Sequence, residues 1–305
     1  MTSLTLALDW TPNINHIGFF VAQEKGFYTN HNIELTIVDP SMDNYAVTPA
    51  KKVELGEAHF ALCPTESIIS YQTKQTPFPL TAIAAVLQKD LSAIVVKKDS
   101  KINSPKDLDG KSYASYKARY EDAIVQQMIQ NDGGLGTIEV HYPEKLGIWD
   151  TIINNTYDST WIFVNWEGVE AIQNDIALNY FKMSDYHIPY SYSPVIAADG
   201  TLIATHKEAY QNFLAATKKG YLYAKENPAE ATTILSKFIP EKDQQIDLQK
   251  ALAVSAAAFG DETSWGTISA TNISAFLQWI YTKNLETEQL LVTDIYTNIL
   301  LSENV

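Results

Sequence analysis

The first 28 residues alternate apolar runs with a short polar turn. Residues 4–8 are mainly apolar, residues 9–13 form a largely polar stretch, and apolar residues return from position 17 until Lys25-Gly26. An apolar run, a polar turn and an apolar segment closed by glycine are typical of a buried strand, a turn and a helix. We therefore predict a strand, a turn and a helix in this stretch.

The same order of elements recurs further along the chain. Polar turns near Thr65, Ser115 and Trp166 each follow a short apolar run and precede a segment with helical spacing. A hairpin turn is predicted at Asp199-Gly200, and from Lys207 onward the pattern is helical almost to the end. Strands that alternate with helices predict an α/β fold, with one or two mostly parallel sheets and helices packed outside.

The chain is long enough to bury a substantial core. It has 305 residues, 46% of them hydrophobic, which suits one large or two medium domains. No run of about 18 apolar residues is present, so neither a membrane span nor direct membrane insertion is predicted. The first predicted strand begins almost at Met1, so no signal peptide is expected within this sequence. We expect a periplasmic or cell-surface location if an export signal has been removed, and a cytoplasmic one otherwise.

The charge balance excludes several classes of partner. The formal net charge is -14 and the pI is about 4.8, so nucleic acid and anionic membranes are poor partners. Arg119 is the sole arginine, which excludes a site that clamps phosphate or carboxylate with several guanidinium groups. Cys63 is the sole cysteine, so no intramolecular disulfide forms, and we expect it to be a small buried apolar residue.

The polar turn after the first strand carries candidate binding residues. In an open α/β sheet, ligands bind outside the carboxyl ends of the strands, where Trp10, Asn13, Asn15 and His16 lie. A large flat ring and three polar side chains suggest recognition of a planar, polar small molecule. The alternatives are a core role for Trp10 and a capping or packing role for His16. No second His or Cys lies nearby at ligand spacing, so no metal site is expected.

Four segments of the chain resemble a known family. They are LALDWTPNINHIGFFVAQEKGFY, the CPTES turn, WIFVNWEGVEA and YSPVIAA. Together they resemble the bacterial formylaminopyrimidine-binding proteins of thiamin-precursor salvage. These belong to the type II periplasmic binding proteins, which also include sulfonate and nitrate receptors and the yeast-type pyrimidine precursor synthases. The resemblance reaches from the start to about residue 300 and is most specific at residues 9–18 and 165–168, whereas residues 25–28 mark only the broad group.

The resemblance implies the type II periplasmic-binding-protein fold, with two α/β lobes and a ligand cleft between them. Lobe 1 would take residues 1–85 and 194–305, and lobe 2 residues 86–193. It also implies a non-enzymatic solute-binding protein for a thiamin pyrimidine precursor of the formylaminopyrimidine or hydroxymethylpyrimidine type. The expected partners are that pyrimidine and an ABC transporter permease, and no cofactor is expected.

The remaining turns supply further candidates in the light of this resemblance. Glu167 follows a strand and opens a helix, where the helix dipole favours an ionised carboxylate. There it would accept two hydrogen bonds from an aminopyrimidine edge, or alternatively only stabilise its helix. Trp166 would wall the pocket or pack in the core. Thr65 and Glu66 would offer hydroxyl and backbone N–H contacts at another helix start, unless Glu66 simply caps that helix.

Two further turns complete the predicted site. Ser115 and Tyr116 occupy the equivalent turn of the second lobe, which is often glycine-rich in relatives but reads SYKAR here. This departure leaves a different ligand open. Tyr190 and Tyr192 lie at the return crossover, in a run of aromatics that lines a site or packs as core. The predicted ligand-binding residues are Trp10, Asn15, His16, Thr65, Glu66, Ser115, Tyr116, Trp166, Glu167, Tyr190 and Tyr192.

Three other functions remain open from the sequence. A pyrimidine phosphate synthase of the yeast type would use a lysine carrying pyridoxal phosphate, a reactive histidine and a cysteine-rich stretch. Here Cys63 and Ser67 align with that lysine and histidine, and the cysteine-rich stretch is missing, so an enzyme is not expected. The other two alternatives are a receptor for another small molecule, such as a sulfonate or an amine, and a cytoplasmic ligand sensor.

Overall fold

The computed structural model of the protein describes residues 1–190 and 192–301, with Leu146 described by its backbone alone. Within these ranges, no helix has both the length and the apolar composition that crossing a membrane requires.

The chain divides into two compact units, each built from a sheet and helices. The first unit comprises Met1–Asp90, Ser191–Ser274 and Glu288–Val305. The second unit comprises Leu91–Tyr190 and Ala275–Thr287. The chain therefore passes from one unit to the other more than once, as the predicted fold class requires.

Each unit contains one sheet of five strands, counted over the described residues. The strands are β1 (Thr2–Ala7), β2 (Ile33–Val38), β3 (Phe60–Cys63), β4 (Leu80–Ala85), β5 (Ser92–Lys97), β6 (Ser112–Ala114), β7 (Glu139–His141), β8 (Ser159–Phe163), β9 (Leu178–Phe181) and β10 (Val195–Asp199). Their order is β2-β1-β3-β10-β4 in the first unit and β7-β6-β8-β5-β9 in the second.

The two sheets share a mixed pattern of strand directions. β1 runs parallel to β2 and β3, whereas β10 runs antiparallel to β3 and β4. In the second unit β6 runs parallel to β7 and β8, whereas β5 runs antiparallel to β8 and β9. Four of the five strands in each sheet therefore run in the same direction, which confirms the prediction of mostly parallel sheets, and β10 and β5 are the antiparallel exceptions. Parallel neighbouring strands need a crossover connection, which is usually a helix. β5 and β10 each enter their sheet soon after the chain arrives from the other unit, without such a crossover helix directly before them.

Helices connect and cover the strands. The α-helices are α1 (Ile17–Glu24), α2 (Phe27–Asn30), α3 (Pro49–Glu54), α4 (Thr65–Thr73), α5 (Glu121–Asn131), α6 (Ile148–Ile153), α7 (Glu167–Gln173), α8 (Lys207–Glu226), α9 (Pro228–Ser236), α10 (Leu248–Ser255), α11 (Ala270–Thr282) and α12 (Val292–Ile295). Short 3-10 helices occur at Ile14–His16, Pro40–Asp43, Lys98–Ser100, Pro105–Leu108, Lys145–Gly147, Met183–Tyr186, Gly200–Leu202 and Glu241–Asp243.

The four predicted strand, turn and helix units are confirmed, because α1, α4, α5 and α7 each follow a strand and a polar turn. The predicted hairpin at Asp199-Gly200 is wrong. The Asp199 carboxylate accepts hydrogen bonds from the Thr201 backbone N–H at 2.8 Å and the Thr201 hydroxyl at 2.7 Å. An aspartate side chain that accepts hydrogen bonds from the residue two positions later favours a helical turn over a strand. Gly200–Leu202 accordingly forms a 3-10 helix.

Helices α1 and α8 cross at very short range in the core of the first unit. A Cβ atom added to Gly220 would lie 2.0 Å from the Gly18 carbonyl oxygen, and one added to Gly18 would lie 2.1 Å from the Tyr221 ring. The buried Tyr221 ring also packs on Phe259, with ring centroids 4.9 Å apart. Its hydroxyl donates a 2.6 Å hydrogen bond to the Asn15 carbonyl oxygen. This crossing therefore fixes α1 and the polar turn that precedes it.

We expect Gly220→Ala to lower the free energy of unfolding by about 2–3 kcal/mol, because overpacking at the crossing outweighs the gain of up to about 1 kcal/mol in helix propensity. Urea unfolding measures the change. Gly147→Ala is the matched control, since a methyl group there meets nothing within 4 Å. A Gly220→Ala protein as stable as the wild type would contradict the close crossing.

Candidate functional site

Two polar turns of the first unit lie at the same edge of its sheet. β1 and β3 are adjacent and parallel, with Ala7 paired to Ala61, so their carboxyl ends point the same way. The turn after β1 carries Asp9, and the start of α4 after β3 carries Glu66. The negative charges of both carboxylates contribute to the raised pKa of Cys63, which places them around this thiol.

The turn after β1 is organised by a buried histidine. His16 is fully buried, and its Nδ1 accepts a hydrogen bond from the Asn13 backbone N–H at 3.2 Å. Because Nδ1 accepts, the ring proton lies on Nε2, which donates to the Asp9 carboxylate at 2.8 Å. The Asn13 side chain in turn accepts from the Asn15 backbone N–H at 2.9 Å. His16 is thus a neutral imidazole that caps the turn and orients Asp9.

Asp9 is a candidate binding residue that the sequence reasoning missed. Its side chain is 25% exposed, whereas that of His16 is 0% exposed. Over the described residues, its carboxylate receives one hydrogen bond, from His16. The available signal was its position directly after a strand, in the same turn as His16. Asp9 therefore presents an oriented, partly exposed carboxylate at the edge of the sheet.

Trp10 lies beside Asp9 and is partly exposed, so it is not a fully buried core residue. Its ring packs against Tyr45, with ring centroids 5.4 Å apart and planes inclined by 58°. Tyr45 was also missed from the sequence, since it lies in the loop after β2 and no local pattern connects it with Trp10. An indole that packs against an aromatic ring and keeps an exposed part can stack on a flat ligand.

Thr65 and Tyr192 contact each other in the first unit. The Thr65 hydroxyl and backbone N–H both donate to the Tyr192 carbonyl oxygen, at 2.8 and 3.2 Å. The Tyr192 hydroxyl accepts hydrogen bonds from the Ser269 backbone N–H at 3.0 Å and the Asn272 side chain at 3.2 Å. Both residues are buried, so these bonds fix the start of α4 and with it the buried Glu66.

Cys63 ends β3 beneath this turn and is 3% exposed. Burial raises the pKa of its thiol well above the ordinary range, and the charges of Asp9 and Glu66 act in the same direction. A thiol that stays protonated is a poor nucleophile. The structure therefore gives Cys63 the character of the small buried residue that the sequence predicts.

We expect Cys63 in the native protein to react with Ellman's reagent about a hundredfold more slowly than in the unfolded chain, since a buried protonated thiol must first be exposed. Absorbance of the released thiolate measures the rate, and Cys63→Ser gives the blank. Rapid labelling of the native protein would contradict this environment.

In the second unit, a buried glutamate holds the turn after β6. The Glu121 carboxylate accepts hydrogen bonds from the Tyr113 hydroxyl at 2.7 Å and from the backbone N–H groups of Tyr116 and Ala118, both at 3.0 Å. Burial raises the pKa of Glu121, and these three hydrogen bonds oppose the shift. Glu121 is thus a structural carboxylate that determines where Tyr116 lies.

Ser115 takes part in the same turn through its hydroxyl. This group donates to the Asp122 carboxylate at 2.7 Å and accepts from the Lys117 backbone N–H at 3.0 Å. Lys117 adopts a left-handed conformation with φ 62°. The nearby Arg119 forms an ion pair with Glu286 in the same unit. Both the Ser115 hydroxyl and the sole guanidinium group of the chain are therefore engaged with protein partners.

Glu167 is the first residue of α7 and is partly exposed. Its carboxylate accepts a hydrogen bond from the Phe163 backbone N–H at 3.0 Å, which supports the helix start. Burial raises the pKa of Tyr116, and the negative charge of Glu167 contributes, so the two side chains are neighbours. Trp166, 5% exposed, has the burial of a core residue. The structure thus brings Tyr116 and Glu167 together in the second unit.

Tyr190 packs within an aromatic cluster of the second unit. Its ring contacts Trp161 edge-on at 5.2 Å and Phe276 at 5.9 Å between centroids. These contacts fix the orientation of its ring, whatever its role toward a ligand.

The first unit therefore presents an aromatic ring, two carboxylates and backbone amides at one edge of its sheet. Residues 8–16 and 63–67 contain neither lysine nor arginine. Among the described residues, no group of three or more His, Cys, Asp and Glu side chains is arranged to hold a metal ion. This chemistry suits a planar ligand that donates hydrogen bonds, and it disfavours an anion.

Comparison with known proteins decides the family. The family described as NMT1/THI5 like matches residues 13–231. The chain belongs to this family. The predicted resemblance to proteins of thiamin-precursor metabolism is thereby confirmed.

The relatives of this chain include both a binding protein and an enzyme. The formylaminopyrimidine-binding protein of Halalkalibacterium halodurans is 24% identical, over 77% of this chain and 70% of the relative. A 4-amino-5-hydroxymethyl-2-methylpyrimidine phosphate synthase of Legionella pneumophila is 27% identical, over 78% of this chain and 74% of the relative. These names support a small-molecule binding role.

A solved structure confirms the fold class. The periplasmic aliphatic sulphonate binding protein SsuA of Escherichia coli superposes with a TM-score of 0.69 at 13% sequence identity. The superposition covers 99% of this chain and 100% of that protein. The chain thus has the fold of the periplasmic binding proteins, as predicted, and this likeness shows the fold alone.

Proposed function

We propose that the protein is a non-enzymatic solute-binding protein for a pyrimidine precursor of thiamin, of the formylaminopyrimidine or hydroxymethylpyrimidine type. The proposal includes delivery of the pyrimidine to an ABC transporter, and hence a periplasmic or cell-surface location. The observation that carries it is the Asp9 carboxylate, oriented by a neutral buried His16 beside the partly exposed Trp10.

The Asp9–His16 pair supports recognition of an amino group. An ionised carboxylate accepts hydrogen bonds and donates none, so its ligand must supply N–H or O–H donors. The hydrogen bond from His16 Nε2 fixes the carboxylate before a ligand arrives. A fixed acceptor reduces the entropy that binding must otherwise remove. An exocyclic amine beside a ring nitrogen, as in an aminopyrimidine, matches such an acceptor.

Trp10 supports a flat ligand. Offset or edge-on contacts between aromatic rings contribute roughly 0.5–1.5 kcal/mol beyond the burial of their area. A pyrimidine ring is small, so one indole face covers most of it. Trp10 would therefore supply affinity, while the neighbouring carboxylates supply selectivity among pyrimidines.

The charges at the two turns of the first unit favour a hydrogen-bond-donating ligand over an anion. Asp9 and Glu66 bring two negative charges to the edge of the first sheet, and residues 8–16 and 63–67 contain neither lysine nor arginine. A sulfonate placed there would be repelled, whereas a neutral or protonated amine would be attracted. Ethanesulfonate, which carries the sulfonate without an amine, is therefore a suitable negative control ligand.

We also propose that Glu167 acts as a hydrogen-bond acceptor in the second unit. Its carboxylate is partly exposed, close to Tyr116, and oriented by the Phe163 backbone N–H. The synthase reaction, in contrast, lacks support at the CPTES turn. Cys63 and Ser67 stand where the synthases carry their lysine and histidine, and the Cys63 thiol is buried.

Isothermal titration of the purified protein with formylaminopyrimidine, hydroxymethylpyrimidine and ethanesulfonate tests the proposed function. The expected result is one-to-one binding of either pyrimidine and no binding of ethanesulfonate. Binding of ethanesulfonate alone would replace the proposal with an anion receptor. Release of a pyrimidine phosphate from pyridoxal phosphate during incubation would replace it with the synthase.

We expect Asp9→Asn to weaken pyrimidine binding at least tenfold, about 1.4 kcal/mol, because an acceptor oxygen becomes an amide donor and the local charge is lost. The same titration measures the dissociation constant. Glu57→Gln removes an equal charge from an exposed position of the same unit and should leave the affinity unchanged. Equal affinities of the Asp9→Asn and Glu57→Gln proteins would remove Asp9 from the site.

For Glu167→Gln we likewise expect at least a tenfold loss of affinity, about 1.4 kcal/mol, because a carboxylate acceptor becomes an amide. Glu144→Gln, at an exposed position of the second unit, is the matched control. An unchanged dissociation constant would show that Glu167 only supports the start of α7. Urea unfolding of both variants separates that structural role from a loss of fold.

A further inference from the structure

The loop after β2 holds two consecutive residues in a strained backbone conformation. Asn44 has φ 54° and Tyr45 has φ 61°, both in the left-handed region. Asparagine tolerates this region, but a bulky residue such as tyrosine adopts it rarely. Such strain persists only where the surrounding structure enforces it, and it concentrates at functional sites.

Several interactions enforce this loop conformation. The Asp39 side chain accepts a hydrogen bond from the Ser41 backbone N–H at 2.9 Å and begins the 3-10 helix Pro40–Asp43. The Tyr45 backbone N–H donates to the Pro40 carbonyl oxygen at 2.7 Å. Asp43 forms an ion pair with Lys52 of α3. The loop is therefore fixed at both ends, and the conformation of Tyr45 follows from its surroundings.

The Tyr45 hydroxyl adds a second energetic penalty. It is buried and has no hydrogen-bond partner among the described residues. Burial, with the nearby charges of Asp39 and Asp243, raises the pKa of Tyr45 to about 12, so the hydroxyl stays neutral. A buried donor without a partner destabilises a fold. Neither the backbone conformation nor the hydroxyl of Tyr45 therefore stabilises the fold. The role of this residue must then lie in its ring.

The ring of Tyr45 contacts the indole of Trp10, with centroids 5.4 Å apart and planes inclined by 58°. We propose that Tyr45 is a positioning residue that holds the Trp10 indole in the orientation that stacking on the pyrimidine requires. This inference rests on the proposed function, because it concerns the same site. It adds a contact that determines affinity, from a loop that neither the resemblance nor the sequence pattern indicated.

The physical effect of Tyr45 is preorganisation. A partly exposed tryptophan that loses a packing neighbour gains rotamer freedom, which ligand binding must then remove. The tilted contact with Tyr45 restricts the indole beforehand, while the exposed part of Trp10 stays available to the ligand. Loss of the ring should therefore weaken binding without removing any direct contact between protein and ligand.

Three variants separate the ring, the hydroxyl and the backbone. Tyr45→Phe keeps the ring and removes the hydroxyl. Tyr45→Gly removes the ring and relieves the left-handed strain. Asn44→Gly relieves the strain at the neighbouring position and keeps Tyr45, which makes it the matched control. Each variant is titrated with formylaminopyrimidine and hydroxymethylpyrimidine, and its urea midpoint is recorded.

A spectroscopic readout reports on Trp10 without any ligand. Protein labelled with 5-fluorotryptophan gives one fluorine NMR resonance per tryptophan in a single conformation, and the Trp10→Phe variant identifies the Trp10 signal. In Tyr45→Gly we expect this resonance to shift or broaden and the affinity to fall at least fivefold. In Tyr45→Phe and Asn44→Gly we expect an unchanged resonance, an affinity within twofold of wild type, and a urea midpoint at or above that of wild type.

An unchanged Trp10 resonance in Tyr45→Gly would overturn the positioning role, whatever the affinities. A shifted resonance with wild-type affinity would overturn its importance for recognition. If the wild-type protein binds neither pyrimidine, the proposed function fails, and the fluorine resonance of the unliganded protein still decides whether Tyr45 positions Trp10.

Discussion

The close crossing of α1 and α8 is the constraint on which the first unit and its candidate site depend. A side chain larger than hydrogen is excluded at Gly220 by the Gly18 carbonyl oxygen, and at Gly18 by the Tyr221 ring. The same crossing brings Tyr221 to the Asn15 carbonyl oxygen, at 2.6 Å. The helix packing and the polar turn are therefore fixed together, and a change in the crossing distance would displace the turn.

The fixed turn explains why a fully buried histidine can serve as a neutral donor. The Asn13 backbone N–H satisfies Nδ1, so the only remaining proton of the His16 ring points at Asp9. An ionised ring would carry a second N–H donor at Nδ1, which would face the Asn13 backbone N–H. It would also bury a positive charge. The turn instead exposes a net negative charge at its rim, where a ligand can pair with it, and keeps its interior neutral.

The sequence determines local elements well and long-range relations poorly. The strand, turn and helix pattern predicted α1, α4, α5 and α7, and the residues from Asp9 to Gly18 identified the family. The antiparallel directions of β5 and β10 were not predicted, because they depend on where the chain passes from one unit to the other. Tyr45 was missed because its contact with Trp10 spans 35 positions of sequence and requires a left-handed backbone that tyrosine rarely adopts.

The fold itself does not choose the ligand. The same architecture occurs in a protein whose name specifies aliphatic sulphonates, so the difference must lie in the side chains at the strand ends. An anion receptor needs donors or positive charge there, whereas this chain places Asp9 and Glu66 at the edge of the first sheet and engages its sole arginine with Glu286. Reversing the charge preference would require new cations as well as the loss of both carboxylates. Under the proposed function, the acidic edge is therefore the feature that favours a hydrogen-bond-donating ligand over an anion.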